Sequence, residues 1–341
     1  METSKGKPSR DTSPEVLAIL RCLGCNSPLV KVDGGLSCSK CKRVYPAVNG
    51  VVRFVESEEY VGSFSFEWDR YSLTQLDNEH SNESERTLRR KTGLSPEELS
   101  GKLVLDAGCG VGRFAEVASR WGAKVVGFDL SRAVEMAARN LGDRENLWVS
   151  QADLFNLPFA PMSFDYIYSI GVLQHTPDAA KAFKALVQFL KPGGTISISV
   201  YSGYNKWYRM ADFYRRLTTK LPQKMLHTLS YVAVPLYHVH RGLRWVPVIG
   251  SPASSALSYF LPTSPHPVPA WRVLDTFNWY APPFQSKHTY EEVFRWFEES
   301  GLEDMRVLSE PISMRARRPA ASSDNQAETR ATTVSNGEMV G

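Results

Sequence analysis

The sequence predicts an α/β protein, in which a doubly wound, mostly parallel seven-stranded sheet follows a small metal-binding ribbon. Two observations carry this prediction. From Lys102 onward, short apolar segments alternate with amphipathic segments, which is typical of parallel strands covered by helices on both faces. Before that region, four of the five cysteines stand in two close pairs, a spacing that indicates a metal site rather than a secreted disulfide framework.

The elements of the sheet follow from the periodicity. "KLVLD" at Lys102–Asp106 is apolar enough for a buried strand, and "GRFAEVASRWG" has the spacing of an amphipathic helix. The alternation repeats with "KVVGFD", "SRAVEMAARNLG" and "NLWVSQAD", and again with "FDYIYSIG", "AAKAFKALVQFL" and "GTISISV". It stops after Tyr201 and resumes with the helix "TYEEVFRWFEESG" and the strands "DMRVLSE" and "ISMRARR". Seven strands are therefore expected.

Composition divides the chain into polar ends, a cysteine-containing segment, an aromatic segment and the sheet region. The expected boundaries are 1–13 and 319–341 for disordered ends, 14–58 for the ribbon, 59–100 for an aromatic and helical cap, and 101–318 for the sheet domain. Residues 201–286 interrupt the sheet domain. An insertion of this length is more typical of a lid or a substrate-binding module than of a structureless loop.

The paired cysteines are Cys22 with Cys25 and Cys38 with Cys41, separated by 12 residues. Four thiolates at this spacing can close a tetrahedral Zn²⁺ site from two facing turns. Since so short a segment cannot bury enough surface to fold alone, the metal would supply folding free energy. We expect a structural zinc ion, because four cysteine ligands leave no open position for catalysis. Cys109 stands apart and is interpreted as an incidental small residue.

The net charge of +4 is lower than a dedicated nucleic-acid-binding domain would carry. The first residues hold no apolar run of the secretory type, and prolines interrupt the longest uncharged stretch, Trp245–Trp271. These features predict a cytoplasmic protein, with peripheral contact at the inner face of the membrane as a second expectation.

The loop "LVLDAGCGVGRF" contains Gly108, Gly110 and Gly112. A dinucleotide-binding loop of the form G-x-G-x-x-G would need a glycine where this chain has Arg113. The carboxylate of Asp106, just before the glycines, can instead receive an ammonium group. The loop therefore favours a ligand other than a dinucleotide.

Two further acidic residues complete the description of that ligand. Asp129 follows the second predicted strand and can accept both hydroxyls of a ribose. Asp153 follows the third strand and can accept from an adenine amino group, although it can equally serve as a helix N-cap. An amine, a ribose and an adenine without a required phosphate describe S-adenosylmethionine.

Five segments in order give residues 102–200 a resemblance to the class I S-adenosylmethionine-dependent methyltransferases, which have a Rossmann-like fold. They are "VLDAGCGVG", "VVGFDLS", "QADLFNLPF", "FDYIYSIGVLQHTPD" and "LKPGGTISI". The first 58 residues are similar to zinc ribbons fused to, or paired with, methyltransferases. The resemblance implies that S-adenosylmethionine contacts Asp106, Gly108 and Gly110 at its methionine part, Asp129 at its ribose, and Asp153 and Leu154 at its adenine. Gln174 and His175 are expected to face its methyl group, and Gly112 and Leu130 are further expected cofactor contacts.

Two histidines are candidates for a catalytic base. His175 follows the fourth strand, where ligands bind in such sheets, although it can equally be a packing or capping residue. His288 is the second candidate, and its alternative is a loop residue ahead of a capping box formed by Thr289 and Glu292. "NWYAPPF" at 278–284 resembles the Asn-Pro-Pro-Tyr motif of amino-group methyltransferases but does not follow the fourth strand.

Aromatic and basic residues bear on the acceptor. Phe66, Trp68 and Tyr71 can form an aromatic cap over the ligand or can be core residues. Residues 200–245 carry eight basic side chains against Asp212 alone, which suits an anionic substrate or an anionic membrane surface unless these charges form an ordinary solvated face. The eight are Lys206, Arg209, Arg215, Arg216, Lys220, Lys224, Arg241 and Arg244.

The function that follows is methyl transfer to a small-molecule or a lipid- or glycan-linked acceptor, at oxygen or carbon. Two alternatives stay open. In an RNA methyltransferase, a basic group on the predicted cap would hold phosphates; its members are Arg86, Arg89, Arg90 and Lys91. In a binding module without activity, the zinc ribbon would contact a partner and the sheet domain would be a relic.

Overall fold

A computed structural model describes residues 12–56, 61–71, 76–77, 82–142, 144–204 and 208–320. The expected disordered ends lie almost wholly outside these ranges, as do Lys206, Trp207 and the side chains of Trp68, Tyr208 and Arg209. The strands of the described chain are β1 (Leu29–Val32), β2 (Gly35–Cys38), β3 (Val44–Val48), β4 (Val51–Arg53), β5 (Leu103–Ala107), β6 (Lys124–Asp129), β7 (Leu147–Gln151), β8 (Phe164–Ile170), β9 (Leu190–Ser199), β10 (Glu303–Val307) and β11 (Ser313–Arg317).

The helices are α1 (Pro14–Ile19), α2 (Gly62–Tyr71), α3 (Glu83–Thr92), α4 (Pro96–Leu99), α5 (Arg113–Arg120), α6 (Ala133–Asn140), α7 (Ala179–Val187), α8 (Tyr208–Thr218), α9 (Gln223–Ser230), α10 (Ala233–Leu243), α11 (Gly250–Phe260), α12 (Pro269–Tyr280) and α13 (Tyr290–Glu299). No helix in the described ranges is both long and apolar enough to cross a bilayer.

The described strands form one sheet in the order β1-β2-β3-β4-β7-β6-β5-β8-β9-β11-β10. Strands β7, β6, β5, β8 and β9 pair in parallel, and β11 runs antiparallel between β9 and β10. The seven predicted strands and the mostly parallel α/β fold are thus confirmed. Within β5, Leu103 and Leu105 join one hydrophobic cluster and Val104 joins another. The sheet is therefore buried on both faces, which explains why its strands read as continuous apolar runs.

The ribbon continues this sheet, which the sequence did not predict. Its antiparallel strands end with β4, and β4 pairs in parallel with β7 through Val52 with Ser150 and Arg53 with Gln151. The Arg53 guanidinium donates to Gln151 Oε1 at 2.5 Å and forms an ion pair with Glu135 on α6. The ribbon and the sheet domain are therefore joined by backbone pairing and by a mostly buried ion pair.

The four paired cysteines meet at the far end of the ribbon, with all four sulfur atoms within 4.8 Å of one another. Cys22 Sγ lies 3.5 Å from Cys41 Sγ, and Cys25 Sγ lies 3.4 Å from Cys38 Sγ. The backbone amides of Gly24 and Cys41 point at two of the sulfurs, at 3.4 Å each. Amide donors stabilise thiolates, so this donor set fits the predicted structural zinc ion.

The long insertion is helical and closed at its base. It contains α8 to α12, so its described part has regular secondary structure. Its two ends are tied together, because the His288 amide donates to Tyr201 O at 2.8 Å and the Gly203 amide donates to His288 O at 2.7 Å. The module therefore leaves and re-enters the sheet domain at one point.

Loss of one zinc ligand should unfold the ribbon. We expect Cys25→Ser to lower the zinc content from about one ion per chain to near zero, because a three-sulfur site no longer closes a tetrahedron. Atomic emission and limited proteolysis within residues 14–54 measure both effects. Cys109→Ala is the matched control and should keep its zinc; equal zinc loss in the two variants would contradict the assignment.

The Arg53 contact should stabilise the junction of ribbon and sheet. Arg53→Met leaves the mostly buried Glu135 without its close cationic partner, and we expect about 3 kcal/mol less free energy of unfolding in urea. Arg139→Met is the control, since Arg139 is 62% exposed and lies 3.9 Å from the same carboxylate. The control should change stability by about 0.5 kcal/mol or less. Similar losses in both variants would contradict a special role for Arg53.

Candidate functional site

A cavity of about 320 Å³ opens at the carboxyl edge of the parallel strands. This is the edge where ligands bind in open α/β sheets. One half of its wall comes from the glycine loop after β5 and from the residues that follow β6, β7 and β8. The other half comes from α2, α3, α5, α12 and Tyr201. The cap and the insertion thus close over the sheet.

The glycines are required by close contacts inside the protein. Gly108 and Gly112 have φ of +85° and +86°, a conformation that side-chain-bearing residues rarely adopt. A Cβ added at Gly108 would lie 2.4 Å from Val172 Cγ2, and one added at Gly112 would lie 2.5 Å from Leu141 Cδ1. The loop therefore packs against both neighbouring segments while its Gly108 and Gly110 face the cavity.

Asp129 lies at the end of β6 in the cavity wall. Its Oδ2 accepts from the Gly110 amide at 3.0 Å, and its Oδ1 accepts from the amide and hydroxyl of Ser131 at 2.8 and 2.7 Å. These donors fix the carboxylate at the cavity wall. The geometry suits a diol placed over the glycine loop.

Asp106 lies behind the loop rather than in the cavity wall. It is 2% exposed, and its Oδ2 has no hydrogen-bond partner within the described chain. Burial raises the pKa of Asp106 to about 7, and the Asp129 carboxylate adds to the rise. A positive ligand group nearby would favour the ionised form.

The two residues expected at the adenine have different surroundings. Leu154 is 5% exposed and lines the cavity together with Leu130 and Ala152. Asp153 holds a turn, because its Oδ1 accepts from the Phe155 amide at 3.0 Å. No helix follows it, so the N-cap alternative is replaced by a turn cap. An apolar slot for a flat ring is present, and the Asp153 carboxylate is outside its wall.

Gln174 and His175 belong to a short 3₁₀ helix, Leu173–His175. Gln174 is fully buried, its side-chain amide has no partner among the described residues, and its carbonyl accepts from the Ser286 amide at 2.8 Å. It is not part of the cavity wall, unlike His175. Gln174 therefore stays a predicted contact of the ligand, and in the structure it lies outside the cavity wall.

His175 is held in one tautomer. Its Nδ1 lies 2.9 Å from Phe284 O, and because a carbonyl only accepts, Nδ1 carries the proton and Nε2 is left as an acceptor. Phe64 and Tyr201 contact the ring edge-on, with centroids at 5.1 and 5.3 Å. Burial lowers the pKa of His175 to about 4. The ring is thus neutral at physiological pH.

His288 has a structural environment instead. Its Nε2 lies 2.7 Å from Ser286 Oγ, its Nδ1 lies 3.3 Å from Glu292 Oε2, and it is outside the cavity wall. Thr289 and Glu292 form the capping box of α13. The geometry supports the loop-residue alternative, because both ring nitrogens of His288 have close side-chain neighbours.

The aromatic cap also differs from expectation. Phe66 contacts Phe277 and His227 inside the insertion, at centroid distances of 5.7 and 5.8 Å. The Tyr71 hydroxyl lies 2.9 Å from His227 Nε2. Phe64, two residues earlier on α2, is the aromatic side chain that lines the cavity. Phe66 and Tyr71 thus have the surroundings of the core alternative.

Charged and polar residues that sequence reasoning missed complete the wall: Lys91, Arg113, Asp275 and Asn278. Arg113 donates to Ser84 Oγ at 3.0 Å and lies over Phe114 and Trp271, at 4.9 and 5.1 Å from their centroids. Burial lowers the pKa of Lys91 to about 8 and that of Arg113 to about 10. These residues come from helices far apart in the chain, so no local pattern connects them.

Behind Asn278 lies a buried carboxyl group. Asn278 Nδ2 donates to Glu67 Oε1 at 2.8 Å, and Glu67 is 0% exposed. Burial raises the pKa of Glu67 well above its ordinary value. Within the described chain, Glu67 Oε2 and Asn278 Oδ1 have no partner. This wall can therefore both donate and accept hydrogen bonds.

Comparison with known proteins agrees with this arrangement. Residues 105–198 match the family model described as a methyltransferase domain, and residues 13–50 match the one described as a Trm112p-like protein. Among curated proteins, the ubiquinone biosynthesis O-methyltransferase of Nitrosococcus oceani is 35% identical over 132 residues, which are 38% of this chain and 56% of that protein.

Two other relatives act on different atoms by their names. Sterol 24-C-methyltransferase erg6 of Schizosaccharomyces pombe is 30% identical over 146 residues, covering 41% of this chain and 37% of that protein. Phosphoethanolamine N-methyltransferase 2 of Caenorhabditis elegans is 31% identical over 160 residues, covering 45% of this chain and 36% of that protein. The chain thus matches at most about half of the length of these relatives. These matches, with the fold and the cysteine cluster, identify residues 105–198 as a class I S-adenosylmethionine-dependent methyltransferase domain preceded by a Trm112p-like zinc ribbon.

Proposed function

We propose that this chain transfers a methyl group from S-adenosylmethionine to a small-molecule or lipid- or glycan-linked acceptor, at oxygen or carbon. The observation that carries the proposal is one cavity in which the Asp129 carboxylate and the neutral His175 ring share a wall. The three relatives are named for transfer to oxygen, carbon and nitrogen, so their names leave the acceptor atom open.

The cavity has complementary groups for each part of S-adenosylmethionine. Asp129 suits the ribose, and the slot between Leu130 and Leu154 suits the adenine. The glycine loop, with Asp106 behind it, suits the methionine ammonium. S-adenosylmethionine supplies the methyl group on a sulfonium, so the protein chiefly has to align the acceptor and exclude water. Asp153 and Gly112 stay predicted contacts.

His175 is suited to take a proton from a hydroxyl acceptor. Its tautomer leaves Nε2 as an acceptor, and its edge-on aromatic neighbours hold the ring in place. A base of lowered pKa is a weak one at equilibrium, so its main effect is to orient the acceptor and to receive the proton as the oxygen bonds to carbon. For transfer to carbon, the same nitrogen can receive the proton that leaves that carbon.

The acceptor end of the cavity is polar. Asp275 and Asn278 lie one turn apart on α12 and both face the cavity. Asp275 accepts from Ser264 Oγ at 3.0 Å, and Asn278 is supported by the buried Glu67. The same wall holds the basic side chains of Lys91 and Arg113. Basic groups suit an anionic part of the acceptor, and Asp275 and Asn278 suit its hydroxyl groups.

The ion pairs formed by the basic group on α3 argue against the RNA alternative. Arg89 pairs with Glu85 at 3.0 Å and lies over Trp121, and Arg90 pairs with Glu310 at 3.1 Å. Lys91 lines the cavity. Only Arg86 is left exposed without a described ion pair, and one arginine gives little phosphate binding.

Replacing Asp129 should weaken cofactor binding. Asp129→Ala removes an ionised acceptor for two hydroxyls, and we expect roughly 10- to 100-fold lower affinity for S-adenosylmethionine by isothermal titration. Asp178→Asn is the control, because that carboxylate caps α7 and accepts from the Lys181 amide at 3.0 Å. Absence of binding to the unmodified chain would overturn the proposed function and favour the relic module.

Replacing His175 should slow transfer without loss of cofactor binding. We expect His175→Gln to lower incorporation of labelled methyl into cell-extract acceptors by roughly 10²- to 10⁴-fold, whereas His288→Gln keeps most of it. Since the pKa of His175 is lowered to about 4, its ring NMR signals should stay those of the neutral form down to pH 5. An inflection near pH 6.5 would contradict the burial argument.

A further inference from the structure

The turn between α10 and α11 presents large apolar side chains to solvent. Trp245 is 81% exposed, Val248 is 92% exposed and Ile249 is 67% exposed. We call residues 244–249 the apolar tip. Side chains of this kind are usually buried, and a cluster of exposed ones marks a surface that contacts something other than water.

The tip has a defined backbone. The amides of Trp245 and Val246 donate to Gly242 O and Leu243 O at 3.1 and 2.9 Å, and the Gly250 amide donates to Val246 O at 3.1 Å. A Cβ added at Gly250 would lie 1.8 Å from Leu243 O. The chain thus closes tightly at the base of the tip, and this closure holds the apolar side chains outward.

Neighbouring helices of the insertion extend the same surface character. Apolar side chains on α8, on α9, at the start of α10 and at the end of α11 are about half exposed or more: Phe213, Leu217, Met225, Leu229, Tyr231, Val232 and Phe260. The insertion thus exposes further apolar side chains, and those of Trp245, Val248 and Ile249 are the most exposed among them.

The charge of this surface has one sign. From Phe213 to Leu274 the sequence contains no aspartate or glutamate and seven arginines or lysines. Arg215 and Arg272 are buried and donate to backbone carbonyls, so they do not add to the surface charge. The other five are exposed and form no ion pair within the described chain: Arg216, Lys220, Lys224, Arg241 and Arg244.

We propose that the apolar tip inserts into the headgroup region of an anionic lipid bilayer, with Arg241 and Arg244 bound to lipid phosphates. Tryptophan and aliphatic side chains lower their free energy at this interface, and flanking cations are attracted by the negative surface. Charge complementarity and the exposed tip argue for the same occupant. An RNA would use the cations and could stack on Trp245, but it would leave the aliphatic side chains of Val248 and Ile249 in water, whereas a bilayer covers all three.

The inference goes beyond the proposed function, because none of the tip residues lines the cavity. Membrane binding would also bring the chain to a lipid-linked acceptor, since a bilayer holds such molecules. Membrane binding is measured without any acceptor, so its failure would leave methyl transfer to a soluble molecule intact.

The test is co-sedimentation of the full chain with vesicles of phosphatidylcholine alone or mixed with phosphatidylserine, at low and high salt. We expect the unmodified chain to pellet with the anionic vesicles at low salt. The variant Trp245→Ser with Val248→Ser and Ile249→Ser should bind about tenfold more weakly. Arg241→Gln with Arg244→Gln should lose most of the preference for anionic vesicles.

The controls are Val44→Ser on β3 and Val307→Ser on β10, each 59% exposed and far from the insertion in sequence. Both should bind vesicles as the unmodified chain does. Affinity for S-adenosylmethionine should be the same in all variants, which shows that they are folded. The proposal is overturned if the unmodified chain stays in the supernatant, if the tip variant pellets equally, or if the tip changes only self-association by light scattering or only binding to an RNA oligonucleotide.

Discussion

The contact of Gly108 with Val172 sets the geometry on which the site depends. The loop after β5 and the turn after β8 leave neighbouring parallel strands at the same edge, and they approach until an added Cβ at Gly108 would lie 2.4 Å from Val172. This contact fixes the turn that carries His175 relative to the loop that carries Gly110. Because the Gly110 amide also donates to Asp129, the Asp129 side and the His175 side of the cavity are held as one unit.

The position of His175 also depends on the insertion. The sequence places Arg215 among eight basic residues that suit an anionic substrate or surface. In the structure it is 7% exposed, and it donates to Pro282 O at 2.5 Å and to Gln285 Oε1 at 2.7 Å. It thereby fastens the segment whose Phe284 carbonyl fixes the His175 tautomer. Burying a guanidinium is unfavourable unless its donors are paired, so its pairing with this segment indicates a positioning role rather than a role in surface charge.

The sequence predicts those features of the structure that depend on residues close together in the chain. The buried strands, the amphipathic helices and the paired cysteines each have a short-range signature, and so does the loop at Gly108–Gly112. The pairing of β4 with β7 has none, because it joins two short segments about a hundred residues apart. In the sequence, nothing distinguishes Lys91, Arg113 and Asp275 from ordinary surface charges. They meet at the cavity only because the fold brings α3, α5 and α12 together. His175 and His288 are both candidate bases in the sequence, and the neighbours of their ring nitrogens separate them in the structure.

A buried contact inside the insertion joins the cavity wall to the helix that leads into the apolar tip. Arg272 on α12 is 1% exposed, donates to His266 O and Pro267 O, and lies 3.7 Å from the centroid of Tyr237 on α10. With its donors paired and its plane stacked, this guanidinium ties the helix that contributes Asp275 and Asn278 to the helix that leads into the apolar tip. The two helices should therefore move together, and whatever orients the tip also orients the part of the cavity wall that Asp275 and Asn278 form.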